Sequence, residues 1–560
     1  MTSGSGFFHF GRKLLQAAMA ATSLPEMGWG RFDRLSFLKS MAMIQVVLST
    51  DATGVIVIDA SSNIRSTQSS PEELSPALAK QRVVIIGGGP AGLTAAYELG
   101  KYSPAHHSVV LESSDQVGGI ARTETYKDFR FDIGGHRFFT KVEAVEALWH
   151  EVCGEEFLIR PRMSRIFYRG KFYDYPLKIF NALGNIGIYE TVRIALSYVK
   201  WRVRPHRVEE NLQQWVMNRF GGRLFQHFFR TYTEKVWGIP CTEIRADWAD
   251  QRIKNLSLKE AVLSAFTGRS DSTSLIEKFH YPRLGPGMMW EMFRDRIVER
   301  GDEVRMNSDV VRLIHDGTSI EAIEVRQGAG SDASTYLLTG TEFISSMPLQ
   351  HLVHAMDPPA PTAVRDAADR LKYRDFLIVV LILDHADPFA DNWIYVHSPE
   401  QRVGRIQNFR AWSPDMVPDP GKASIGMEYF CDVGSELWEM SDERLIKLAA
   451  AELASLGLAP ARSVVDGTVI RQPRAYPVYD RDYRDALGVI REWIEGFDNL
   501  QVVGRNGMHR YNNQDHSMLT AMLAVRNILG EQHDLWNVNV ERSYHEEFQT
   551  KTPVAAAAAA

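Results

Sequence analysis

Arg82-Val83-Val84-Ile85-Ile86-Gly87-Gly88-Gly89-Pro90-Ala91-Gly92-Leu93 is the stretch on which the reading of the fold turns. An apolar, β-branched strand runs directly into G-x-G-x-x-G, and a helical pattern from Thr94 to Leu99 follows. A second short strand, Ser108-Val109-Val110-Leu111, ends on Glu112. Strand, glycine turn, helix, strand and terminal acid make a complete βαβ unit for a dinucleotide. Gly87 permits the tight turn, Gly89 lets backbone approach a pyrophosphate, and Gly92 lets helix and strand pack closely. The free N–H groups at the helix start face the phosphates, and Glu112 stands where a ribose hydroxyl needs an acceptor.

Six residues beyond Glu112 comes Gly118-Gly119-Ile120-Ala121-Arg122-Thr123, and then Phe131-Asp132-Ile133-Gly134-Gly135-His136-Arg137-Phe138-Phe139. A nicotinamide domain has no need of a second glycine pair followed by Arg. A tightly held flavin does, because its whole length runs through the protein and backbone passes close to it. Gly119, Arg122 and Gly135 therefore join the first motif as expected cofactor contacts. Together the motifs resemble the flavoprotein group that contains amine oxidases, protoporphyrinogen oxidases, phytoene desaturases and UDP-galactopyranose mutases. The resemblance runs from Arg82 to about Gly530 and implies FAD as cofactor. The fold it implies is α/β: a discontinuous Rossmann-like FAD-binding domain with an inserted α+β substrate domain.

At 560 residues the chain exceeds what one hydrophobic core usually holds, so two interlocking domains are expected. Apolar and charged fractions of 45% and 24% are those of an ordinary globular protein, and a net charge of −6 argues against a nucleic-acid partner. Cys153, Cys241 and Cys431 lie far apart without C-x-x-C spacing. That suits a reducing, cytoplasmic setting with buried inert thiols, no disulfide framework and no metal site. No uninterrupted apolar run reaches the ~18 residues of a membrane span; the nearest, Met41 to Ala60, is broken by Asp51 and Asp59. Arg12-Lys13 before Leu14 to Leu24 makes only a weak targeting pattern, so residues 1–80 are expected as a disordered N-terminal extension.

Strand-like alternation recurs in Glu303–Met306, Asp309–Ile314 and Glu342–Pro348, and again in Leu500–Gly504. The FAD-binding domain is accordingly expected from residues 81–160, 285–350 and 497–531, with Val310 near the adenine by resemblance. The substrate domain takes 161–284 and 351–496, and 532–560 form a tail ending in Ala555–Ala560. Within it, 176–235 and 248–266 have helical periodicity, whereas Phe376–Leu383, Trp393–Val396 and Ala423–Tyr429 read as strands.

Candidate chemistry gathers in five places. Gly504 begins a turn ahead of a helix expected over Leu519–Leu529, and by resemblance that helix points at the pyrimidine edge of the flavin; Asp515 and Ser517 lie just before it, Asp515 either as its cap or as a flavin contact. Gly134-Gly135-His136-Arg137-Phe138 resembles the mutases' Gly-Pro-His-x-Phe, with Gly for Pro, which puts His136 beside the flavin's reactive edge. Tyr232-Thr233-Glu234-Lys235-Val236-Trp237-Gly238, Gly404-Arg405-Ile406 and Arg474-Ala475-Tyr476-Pro477-Val478 resemble three further mutase segments in the same chain order. By that resemblance Arg405 and Tyr476 contact substrate phosphates, a sensible pairing of fixed charge and hydroxyl donor.

Two departures stand beside these matches. Gln251-Arg252-Ile253-Lys254-Asn255-Leu256 lacks the Pro and second Arg of the mutases' substrate lid. Lys200-Trp201-Arg202-Val203-Arg204-Pro205-His206-Arg207 has no counterpart there; it reads as a solvated helix end or as a peripheral contact with an anionic membrane. Two enzyme readings follow. One is a mutase-like flavoenzyme that uses reduced flavin as a nucleophile on a nucleotide- or lipid-linked sugar. The other is an oxidase-type enzyme that takes a hydride from an amine or apolar substrate. A non-catalytic FAD-bound scaffold is a third class.

Overall fold

Five short strands from distant parts of the chain meet in one parallel sheet of the computed structural model, which describes residues 82–539 except 176–178, 247, 249–277, 329 and 331–332. Their order is Leu500–Val502, Glu342–Ser345, Arg82–Ile86, His107–Leu111 and Glu303–Arg305. Arg82–Ile86 lies at the centre and is buried at every position, as expected of a strand covered on both faces. The helix Pro90–Tyr102 follows the glycine turn, and Pro286–Glu299 and Gln514–Ile528 pack against it. Tyr97, Trp290 and Phe293 fill the space between two of these helices with ring centroids 5.1–5.2 Å apart. The architecture is α/β, as the motifs imply.

Of the two strands expected near residue 310, only Glu303–Arg305 joins this sheet. Ser308–His315 begins a separate four-stranded sheet with Ile320–Gln327, Ser334–Thr339 and Met356–Asp357. The reason is local: Asn307 takes a left-handed φ of 51° and redirects the chain, while its N–H donates to the Ser114 carbonyl at 2.9 Å.

A seven-stranded, largely antiparallel sheet carries the rest of the site. Its order is Val464–Pro477, Tyr373–Leu383, Ala423–Cys431, Arg405–Asn408, Trp393–Val396, Ser164–Tyr168 and Lys171–Asp174. Along Tyr373–Leu383 the side chains alternate between two cores. Leu377, Val379, Leu381 and Leu383 pack in a smaller core with Leu445, Ala449 and Leu453 of the helix Asp442–Ser455. Phe376, Ile378, Val380 and Ile382 face the large core that the cofactor-side elements share. The helical insertion comprises Ile179–Ile186, Ile188–Val203, Leu212–Phe220, Gly222–Leu224, a π-helical turn Phe225–Arg230 and Thr231–Trp237. Apart from Trp248, the expected helix over 248–266 lies outside the described residues, as do the altered lid motif at Gln251–Leu256 and the extension 1–80. Among the described residues no helix is long and apolar enough to cross a membrane. All three cysteines are free and buried, and burial pushes each thiol up to about 12, which keeps them protonated.

One buried carboxyl fixes the segment that leads into Gly134 and His136. Asp132 is 2% exposed and accepts from the Tyr281 hydroxyl at 2.5 Å and from Thr123 Oγ1 at 3.1 Å. Burial raises its pKa to about 7 against the lowering effect of those two hydrogen bonds. A carboxyl that is easier to protonate when folded than when unfolded stabilises the fold most below the unfolded pKa. That contribution is lost as pH rises from about 4 through about 7. Asp132→Asn keeps an acceptor without the charge. Chemical denaturation at pH 5 and pH 8 should show the wild type losing roughly 2–3 kcal/mol more stability over that interval than the variant; parallel curves would contradict this account of Asp132.

Candidate active site

A cavity of about 1250 Å³ runs from the glycine turn of the parallel sheet to the face of the seven-stranded sheet. Single small ligands usually occupy roughly 300–1,000 Å³, so this space suits an extended dinucleotide with a substrate at one end. Gly87, Gly89, Glu112, Gly119, Arg122, Gly135, Val310, Gly504, Asp515 and Ser517 all line it, together with His136, Arg405 and Tyr476. Gly92 alone among the expected positions does not line it; it stands behind the turn.

Close approach explains two of the glycines. Gly87 has φ +103°, and a Cβ there would lie 2.2 Å from Ser346 Oγ. A Cβ on Gly92 would lie 1.8 Å from the Gly87 carbonyl oxygen, a distance no packing adjustment tolerates. Glu112 is 8% exposed, and its carboxylate accepts from the Gly88 N–H at 2.8 Å and the Ser114 N–H at 2.9 Å. That leaves acceptor capacity toward the cavity. The Glu112 carbonyl accepts from the Ser308 N–H at 2.8 Å, which brings the strand bearing Val310 to the same rim. Arg122 donates to Glu124 at 2.6 Å, to the Gly119 carbonyl at 3.0 Å and to Gln472 at 3.2 Å, so it ties the second glycine pair to the substrate-side sheet.

The C-terminal helix is longer than expected. It spans Gln514–Ile528, with Asn513 at the N-cap position. Asp515 is therefore not the cap; it lies in the first turn, 2% exposed, where a carboxylate is favoured by the helix dipole. Polar residues from Gln514 to Ser517 hid this first turn from the apolar periodicity. Gly504 is held against the same helix: its N–H donates to Thr520 Oγ1 at 3.0 Å and its carbonyl accepts from Asn512 at 3.0 Å.

At the other end, strand periodicity sets the chemistry. Arg405 and Gln407 alternate onto the cavity face of their strand, and Glu428 is the cross-strand partner of Arg405. Glu428 is fully buried; it accepts from Arg405 Nε at 2.6 Å and from Gln407 Nε2 at 2.7 Å. The indole N–H of Trp412 donates to Gln407 Oε1 at 3.0 Å and fixes that amide. A Cβ built on Gly134 would be 3.5 Å from Arg405 Nη2, so the His136 segment passes directly over the guanidinium. Burial, then the nearby Arg505 and Arg405 charges, lower the His136 pKa to about 3. The imidazole is neutral at working pH. Among the described residues its buried Nδ1 has no hydrogen-bond partner, and neither does the amide oxygen of Asn506.

Sequence reasoning missed Arg505 and Tyr511. The Arg505 guanidinium donates to the carbonyls of Asn512 at 2.8 Å and Ala475 at 3.2 Å, and lies over the rings of Tyr476 and Tyr511 at 5.6 and 5.0 Å. Those rings stack at 5.6 Å with an interplanar angle of 14°. Burial pushes the Tyr476 phenol up to about 12, although the Arg405 charge opposes it, so it remains a donor. Two successive polar residues after the Gly504 turn gave no periodic signal, which is why Arg505 read as loop.

Other motif residues prove to be scaffolding. Lys235 donates to the carbonyls of Val396, Ser398 and Val403 at 2.9–3.0 Å, and Gly238 is the left-handed C-cap of Thr231–Trp237. Arg471, which lines the wall, turns toward the Asp442 carboxylate at 2.7 Å.

Two facing glycine turns, a ribose-side carboxylate, a helix start and unpartnered polar atoms at the far end are what FAD requires, and the residues present fit it. Residues 90–479 match the family of flavin-containing amine oxidoreductases. The chain belongs to that family. It is thus an FAD-dependent enzyme acting on a small-molecule substrate. The L-amino-acid oxidase of Crotalus adamanteus is 48% identical over 184 residues, 33% of this chain and 31% of that protein, so the chain matches about a third of this relative's length. Among solved structures, reduced UDP-galactopyranose mutase superposes with a TM-score of 0.70 at 20% identity, covering 83% of this chain and 100% of that one. A protoporphyrinogen-oxidase-like protein from Exiguobacterium gives 0.61 at 17% identity, covering 81% and 99%. These superpositions establish a shared fold.

Gly92→Ala places a methyl group into the Gly87 carbonyl. The flavoenzyme variant should purify without yellow colour or fail to fold, whereas Gly488→Ala, in the helix Tyr483–Ile494 with nothing within 4 Å and no left-handed φ, should keep its FAD. Flavin absorbance per protein measures both; equal flavin content in Gly92→Ala and wild type would refute the close-approach argument.

Proposed function

We propose that this flavoenzyme is of the UDP-galactopyranose mutase type and acts in the cytoplasm on a sugar whose anomeric carbon bears a phosphate. The carrier is a nucleotide or a lipid, as in polysaccharide and cell-wall synthesis. The observation that carries the reading is the convergence of two guanidinium groups and a protonated phenol on the space beside His136. Glu428 neutralises Arg405. Arg505, bonded to carbonyls, retains its positive charge inside the cavity wall. An apolar substrate would leave that charge unpaired at considerable cost, whereas a phosphate satisfies it.

In this reading Gly87, Gly89 and the start of Pro90–Tyr102 hold the FAD pyrophosphate, Glu112 the ribose and the backbone at Val310 the adenine. Gly119, Arg122, Gly135, Gly504, Asp515 and Ser517 line the path of the flavin. Bound and reduced, FAD supplies the nucleophile that displaces phosphate from the anomeric carbon. Tyr476 and Arg505 donate to the departing phosphate and hold it in place. Arg405, fixed by Glu428 and Gln407, orients the sugar under the His136 segment. His136, neutral throughout the working range, donates from one ring nitrogen and accepts at the other without changing charge.

A second reading, oxidation of an amine, is supported by the family and by the stacked Tyr476–Tyr511 pair, an apolar surface beside Arg505 that suits an amino-acid carboxylate. One anaerobic assay separates the two. UDP-galactofuranose is expected to convert to the pyranose with dithionite-reduced enzyme and not with oxidised enzyme. Arg505→Leu should then raise KM by about ten- to a hundred-fold, the loss of one charge-assisted contact. Oxygen consumption with L-amino acids and no sugar conversion in either redox state would reject the mutase reading.

A further inference from the structure

The helix Ile188–Val203 has a large apolar side turned to solvent. Ile188 is 81% exposed, Val192 50%, Leu196 66%, Val199 57% and Val203 72%. At about 100° per residue these five fall within an arc of roughly 80°. Ile194, the one buried residue of the helix, lies on the opposite side and packs toward the neighbouring helices. Among the described residues the stripe is therefore a second, unpartnered face and not a frayed core edge. Apolar stripes of this length on soluble helices normally point inward.

Charge identifies what this face meets. Arg193 and Lys200 border the stripe on one side and Arg202 on the other, and Arg204 and Arg207 extend the basic run; all five are exposed. Lys200, Arg202, Arg204 and Arg207 form no ion pair among the described residues. The single acid of the helix, Glu190, is engaged by Arg193, Arg223 and His227. This local excess of cations sits in a chain whose net charge is −6. A two-fold contact between copies would set these cations against their own images. An anionic bilayer offers the reverse: acyl chains for the stripe and phosphates for its borders.

We propose that Ile188–Val203 and the basic turn after it seat the enzyme on an anionic lipid surface, with the helix parallel to the membrane plane. The helix is tied to the site. Glu190 accepts from His227, whose other ring nitrogen meets the Tyr168 hydroxyl at 3.0 Å. His227 lies in the turn leading to Thr231–Trp237, whose Tyr232 packs on the cavity-lining Tyr395 at 5.6 Å. The inference does not depend on which substrate the enzyme uses.

The test is flotation of the full-length holoenzyme with vesicles of phosphatidylcholine alone and of phosphatidylcholine mixed with phosphatidylglycerol. Binding is expected only to the mixed vesicles, weakened by salt. Leu196→Glu should abolish it with flavin content intact, and Leu196→Ser serves if the charged variant loses FAD. Lys200→Gln and Arg202→Gln should each lower affinity about five-fold at low salt. No binding to mixed vesicles, or equal binding by the Leu196 variants, overturns the proposal. So does a dimer in light scattering that Leu196→Glu dissociates without any vesicle binding, since the face would then belong to a second copy.

Discussion

Between the first strand and the helix after it, the chain reverses within a few residues, and the Gly87 carbonyl comes to rest 1.8 Å from where a Cβ on residue 92 would stand. This contact sets how near the helix start can come to the sheet edge. Because Pro90 begins the helix there, its first N–H groups open toward the cavity and are not taken up by a longer loop. Gly504 repeats the device from the other end of the chain, with φ +82° and its N–H bonded into Gln514–Ile528. Two helix starts thus face one space, and both depend on residues that have no side chain.

The opposite end of the cavity follows a different rule. There the determining element is a buried ion pair, Arg405–Glu428, inside the seven-stranded sheet. Such a pair gains little over an apolar replacement, yet removing one partner alone costs about 3–5 kcal/mol. Stability therefore gives no reason for its presence. Geometry does: Glu428 takes the guanidinium and the Gln407 amide together, so Arg405 holds one position under the His136 segment. Asp132 contributes from the other side, where its bonds to Tyr281 and Thr123 pin the strand from which Gly134 and His136 emerge.

What was legible in the sequence follows from these two rules. Close approach of backbone and a left-handed φ both call for glycine, so Gly87, Gly92, Gly119 and Gly504 announce themselves by identity and spacing. Arg405 was marked by resemblance to a mutase segment and not by any strand pattern; its place on the cavity wall comes from the strand Arg405–Asn408. Glu428 carried no such mark; a buried acid in an apolar strand is intelligible only once the strand pairing that sets it opposite Arg405 is known. Arg505 was hidden for the same reason, since its role comes from Tyr476 and Tyr511, which reach it through the fold. The start of Gln514–Ile528 was misplaced because its first turn is polar and faces a cavity that a cofactor fills.

One scaffold serves both oxidases and mutases. The fold places the cofactor cavity, and proteins sharing 17–20% identity with this chain have that fold. Reaction type is decided by what the substrate-side sheet presents to the cofactor. A wall that takes a hydride from an apolar carbon does best with apolar side chains, since any charge it bears carries a desolvation penalty. This wall bears Arg405, Arg505 and the Tyr476 hydroxyl, and compensates only the first of the two cations. An anionic ligand would balance that charge beside a histidine that burial, and after it the same cations, hold neutral. A leaving phosphate or a bound carboxylate would each supply that anion, and the choice between them, unlike the fold, is made by a handful of side chains.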